Sequence, residues 1–170
     1  MNADELRAIQ SPLKAKYRSD PASASVTLRA EARMSDGIAC KIDTGRELVE
    51  AGLHPATGGN GTQACSGDML LEALAACAGV TLQAVATATG VSLENFTVRA
   101  EGDLDFRGTL GISKEVPVGF SCIRLEFDLR SDASEEKIAK LIELTQRYCV
   151  VLQTLRAAPT ISISCPSIGT

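Results

Sequence analysis

Apolar and polar positions alternate from the first third of the chain. Val26, Leu28, Ala30, Ala32 and Met34 interleave with Thr27, Arg29, Glu31 and Arg33. A period of two predicts a strand with one buried face. Ser35-Asp36-Gly37 is turn chemistry, and Ile38, Cys40 and Ile42 resume the alternation, so a hairpin is expected. From about Ala51 to Ala64 the chain is rich in Gly and reads as a loop. Ser66 is then placed to N-cap a helix, with Asp68 in the first turn where it favours the dipole. The run from Met69 reaches Gly90, a C-cap signal. About 24 residues at 1.5 Å each predict a helix roughly 36 Å long. Only Asp68, Glu72 and Gln83 are strongly polar in it, so it should be covered on most sides. One small chain can hardly surround such a helix, and a partner subunit is expected over part of it.

Beyond Gly90, Phe96, Val98, Ala100, Leu104 and Phe106 alternate with charged residues and predict a strand. Arg107 to Gly119 is loop-like, and Ile123, Leu125, Phe127 and Leu129 predict another strand with one wet face. Asp132-Ala-Ser-Glu135 has the capping-box pattern. The helix it opens carries Ile138, Leu141, Ile142, Thr145, Tyr148, Cys149, Leu152 and Leu155 on one face, with Pro159 to end it. Ile161 and Ile163 suggest a last short strand. Residues 1–24, broken by Pro12 and Pro21, read as an arm or short helix ahead of one domain over 25–170. Strands, long helix, strands, helix and strand make an α+β layout with antiparallel sheet, not a wound βαβ fold.

Composition narrows the function classes. The net charge of −4 leaves no basic footprint for nucleic acid or an anionic membrane surface. Aromatics are 4% and Trp is absent, so no stacking platform for single strands is available. The start shows no basic segment leading into an apolar one, and the longest apolar run, Ala73 to Leu82, is too short to span a bilayer. A cytoplasmic setting is expected, and there cysteines stay reduced unless they are catalytic or redox-sensing. Six cysteines accompany a single histidine, His54. Cys40, Cys65, Cys77, Cys122, Cys149 and Cys165 form no C-x-x-C pair, which argues against structural zinc. Cys77 and Cys149 both fall on apolar helix faces, where free cysteine often serves as a small hydrophobe. His54 reads as a surface-loop residue, and Cys65 is the extra thiol nearest a helix start.

Asp68-Met-Leu-Leu-Glu-Ala-Leu-Ala-Ala-Cys77-Ala-Gly-Val-Thr-Leu82 resembles the acidic-Leu-Leu-x-Ala-Ala-Leu-x-x-Cys helix of the OsmC/Ohr family. Glu126-Phe-Asp-Leu-Arg and Thr145-Gln-Arg-Tyr-Cys149-Val-Val-Leu-Gln-Thr-Leu155 are similar to its C-terminal half, so the likeness spans about residues 25 to 165. The resemblance implies an OsmC-like fold, an intertwined homodimer whose antiparallel sheets pack around long central helices. It implies reduction of organic hydroperoxides without metal or prosthetic group. Cys77 then matches the attacking thiol and Cys149 the resolving thiol, with an external dithiol as reductant, a lipoylated protein in the Ohr branch. Family members hold the thiolate with an arginine of the N-terminal hairpin. Arg33 is the best candidate here and Arg29 the next, with Asp68 near the place of the family's acidic partner. Two departures stand beside these matches. Val150 follows Cys149 where the peroxidase branches usually have Pro, and their Gly-Gly-Arg hairpin signature is absent. A non-catalytic dimer that binds a small apolar ligand in the same cleft is the rival reading. A third has all six cysteines as packing alone.

Overall fold

The computed structural model describes residues 2–20, 23, 31–34, 39–43 and 48–165. The expected hairpin forms between β1 (Glu31–Met34) and β2 (Ala39–Asp43), antiparallel with Met34 opposite Cys40. Val26, Leu28, Ala30 and the turn at 35–37 lie outside the described residues. The reading of 51–64 as continuous loop is corrected at both ends. β3 (Leu48–Gly52) pairs antiparallel with β2, and β4 (Ala64–Cys65) pairs parallel with β3. Leu-Val-Glu-Ala-Gly carries too little alternation to announce a strand, so its ladder is set by tertiary pairing. Between them, Pro55–Thr57 forms a 3-10 turn. At the chain start, α1 (Ala3–Ser19) opens on a capping box between Asn2 and Glu5 and tolerates Pro12.

α2 (Ser66–Thr89) is the long helix, ended by Gly90 at φ 70, a left-handed conformation that glycine adopts without Cβ strain. Its N-cap is Cys65, with Ser66 already helical, because β4 carries extended backbone through Cys65. Leu74, Ala78, Leu82 and Ala86 recur every fourth residue and are buried. The opposite side is open, with Val80 73% exposed. Taken as a whole, α2 is long and apolar enough to cross a membrane, with mean hydropathy 1.7 over its most apolar stretch. This corrects the expectation drawn from the uninterrupted run alone. Its buried stripe packs on protein.

β5 (Asn95–Asp103) and β6 (Cys122–Arg130) form a second, antiparallel sheet with Val98 opposite Phe127. One face packs on α2 through Phe96, Val98, Leu125 and Phe127. The other is charged, with Arg99 paired to Glu126 and Arg124 to Asp103. β5 stops at Asp103, so Leu104 and Phe106 are not strand residues. Instead Asp105 caps α3 (Phe106–Thr109) by accepting from the Arg107 amide at 3.0 Å.

α4 (Glu135–Tyr148) is capped by Ser134, two residues later than the Asp132 pattern placed it. The expected single helix is broken after Tyr148. Cys149 is extended at φ −72, ψ 106, and α5 (Val150–Arg156) starts immediately after it. The strand expected at Ile161 and Ile163 does not form; they are 76% and 92% exposed and pair with no edge among the described residues. The outcome is a mixed α/β fold of two small sheets, with α2 packed against both the second sheet and α4–α5.

Candidate functional site

Three elements converge beside the centre of α2. The buried stripe of that helix fixes Leu74 and Ala78, and Cys77 stands next to them, half-buried. Cys149 is fully buried and packs on Leu74 and Ala78, with Cys77, Leu125 and Leu152 around it. Its place follows from the break between the helices. The Cys149 amide donates to the Thr145 carbonyl at 3.0 Å and closes α4, while its own carbonyl accepts from Gln153 at 2.9 Å and opens α5. The neighbouring Thr145 hydroxyl is buried and satisfied by the Leu141 carbonyl at 2.8 Å.

The break has an electrostatic consequence. The first amides of a helix have no acceptor within it. Those of Val151 and Val150 turn toward the Cys77 sulfur, and those of Leu152 and Val151 toward the Cys149 sulfur. The two thiols also pack together, and the Thr81 hydroxyl, one turn along α2, reaches Cys77. Burial pushes the Cys77 thiol up. The Val151 amide, the Cys149 thiol, the Val150 amide and Thr81 together outweigh that push, so its pKa falls below the ordinary thiol value. Cys149 moves the other way. Burial raises it, the Leu152 and Val151 amides offset part, and the neighbouring Cys77 raises it further. The pair therefore consists of one thiol predisposed to ionise and one predisposed to keep its proton.

Of the residues singled out from sequence, the fold brings Cys77 and Cys149 together. Asp68 is exposed in the first turn of α2, without a partner among the described residues and about 13 Å along the axis from Cys77. Arg33 sits in β1 opposite Lys41, its side chain outside the described residues, and Arg29 lies outside them altogether. Cys65 is half-buried, and Cys122 and Cys165 are exposed. His54 serves its own loop. Its Nδ1 accepts from the Ala56 amide at 3.0 Å, and its ring stacks on Phe106 at 4.8 Å. Sequence reasoning missed Thr81 and the Val150 and Val151 amides. The one available signal was Val150 itself, a residue with an N–H next to Cys149.

The family model described as OsmC-like protein matches residues 59–164. No curated protein sequence matches the chain. Among solved structures, the OsmC-like protein of Mycoplasma pneumoniae superposes with a TM-score of 0.67 at 17% identity, over 79% of this chain and 90% of that one. An organic hydroperoxide resistance protein OsmC from Legionella pneumophila gives 0.63 at 20% identity, over 79% and 92%. The organic hydroperoxide resistance protein OhrB of Bacillus subtilis gives 0.52 at 21% identity, over 78% and 93%.

Proposed function

The chain belongs to the OsmC-like protein family, and from that premise we propose that it is a cysteine-based reductase of organic hydroperoxides. The observation that carries this reading is the packing of half-buried Cys77 against fully buried Cys149 at the start of α5, with their proton affinities shifted in opposite directions. Names of structural neighbours, organic hydroperoxide resistance proteins among them, point the same way. The Cys77 thiolate attacks the distal peroxide oxygen. The O–O bond breaks, the alkoxide leaves as alcohol after taking a proton, and Cys77 becomes a sulfenic acid. The Cys149 sulfur then attacks the Cys77 sulfur, the S–O bond breaks, and water departs with the Cys149 proton. An external dithiol reduces the disulfide and itself becomes a disulfide.

The protected order of events suits the geometry. A resolving thiol that ionised first would compete for the hydroperoxide, and a buried, proton-retaining Cys149 does not. A second copy of the chain covers the open side of α2, where Val80 stands exposed, and completes a homodimer in the cytoplasm. The direct test is consumption of cumene hydroperoxide by the reduced protein, with dihydrolipoamide, glutathione and thioredoxin compared as reductants. Stoichiometric consumption followed by dithiol-dependent turnover supports the proposal. No consumption under any reductant overturns it and leaves the non-catalytic ligand-binding dimer.

A further inference from the structure

A cleft of about 520 Å³ opens between the inner face of β6 and the two C-terminal helices. Its walls are apolar: Leu74 of α2, Leu125 and Phe127 of β6, Ile142 of α4, and Leu152 and Leu155 of α5. Cavities of about 300–1,000 Å³ with apolar walls and few polar groups are the usual form of a small-molecule site. Neither Cys77 nor Cys149 lines it, but Leu74 lies one helical turn before Ala78 and Leu152 one turn after Cys149, so cleft and thiol pair share walls.

The polar side chains at the cleft are Ser121, Cys122, Gln146 and Arg156, and Arg156 carries the one charge among the lining residues. Arg156 ends α5 and donates Nη2 to the Gln146 side-chain oxygen at 3.0 Å. It has no acidic partner among the described residues, in a chain whose net charge is −4. Gln146 accepts that bond with its oxygen, and its amide N–H groups remain as further donors. Glu143, on the same side of α4, is held by Lys140 at 2.8 Å and does not neutralise the guanidinium. A planar cation and an amide at the rim of an apolar cavity match one ligand chemistry, a carboxylate on an apolar body.

We propose that this cleft binds an apolar monocarboxylate, its hydrocarbon against Leu125, Phe127 and Leu155 and its carboxylate on Arg156 and Gln146. The site goes beyond the peroxidase reading and does not depend on turnover.

Calorimetric titration of the reduced full chain with octanoate and with 1-octanol tests the site. Wild type should bind octanoate saturably and more tightly than the alcohol, with affinity falling as salt rises. Arg156→Gln should weaken octanoate by about tenfold or more, the worth of a lost charge-assisted hydrogen bond, and leave octanol unchanged. Leu155→Trp, which fills the rim of the cleft, should weaken both. Arg156 and Leu155 are exposed, so both variants should fold, as thermal unfolding will check. Octanoate binding equally to wild type and Arg156→Gln, or not saturating wild type in the millimolar range, overturns the site. Octanoate binding that depends on Arg156 in a protein without peroxidase activity sustains the site and sinks the peroxidase alone.

Discussion

Cys77 packs against Cys149, and the protein drives their proton affinities apart: Cys77 down, Cys149 up. The same seven-residue helix acts on both sulfurs through its first amides. Burial raises both thiols; the difference comes from the amides and from the contact between the sulfurs, which lowers Cys77 and raises Cys149.

That divergence sets a pH order. As pH rises, Cys77 should ionise before an ordinary cysteine and Cys149 after one. Iodoacetamide labelling with peptide mapping should therefore modify Cys77 at a lower pH than a free thiol requires, with Cys149 modified last. Cys149 labelled before Cys77 would contradict the opposed shifts.

The Val150 amide can be removed without dismantling its helix. Val150 is the first residue of α5, where Pro is well tolerated, and extended Cys149 already has the backbone that a following Pro demands. Val150→Pro should raise the Cys77 pKa and slow its alkylation near neutral pH by roughly tenfold, the worth of one hydrogen bond to a charged group. Thermal stability should change little. An unchanged labelling profile would mean that the remaining donors suffice.

Arg33 offers a competing source of stabilisation. If its guanidinium reaches the thiolate, Arg33→Ala raises the Cys77 pKa as well, because a lost positive charge disfavours the anion. Arg33→Lys then restores only part, since an ammonium does not copy the planar fork. An Arg33→Ala titration curve that overlays wild type leaves the α5 amides as the source and makes Arg29 the next arginine to replace.

The two cysteines should also differ in turnover. Cys77→Ser should abolish hydroperoxide consumption. Cys149→Ser should consume about one equivalent per chain and halt as sulfenic acid, then drift to sulfinic acid with excess oxidant. Mass spectrometry reads both states. If the burst survives in Cys77→Ser and vanishes in Cys149→Ser, the roles are exchanged.

The open side of α2 predicts association. Val80→Asp puts a charge where an apolar side chain is 73% exposed, so it should shift light scattering from dimer toward monomer or leave the chain prone to aggregate. A wild-type chain that is monomeric and folded at micromolar concentration removes the homodimer from the proposal.

Much of this architecture was legible in the chain. The alternation at Ile123 to Leu129 and the apolar run ending at Gly90 each mapped onto an element. What escaped were features set by long-range geometry. β3 and β4 are ladders made by pairing, with little period of their own. The interruption at Cys149 lacks Gly or Pro, so nothing local announces it; the face from Ile138 to Leu155 keeps helical spacing straight through. Ile161 and Ile163 show the opposite failure, a strand-like period that finds no edge to join.

The interruption makes Cys149 a fulcrum as well as a thiol. α5 is a lever about 10 Å long with that residue at one end and Arg156 at the other. A rotation of about 10° at the Cys149 backbone sweeps the guanidinium through roughly 2 Å, enough to make or break a hydrogen bond. Gln153 and Arg156 both bond to Gln146 of α4, so a disulfide that drew Cys149 toward Cys77 would have to carry this arm against those two bonds to disturb the rim of the cleft.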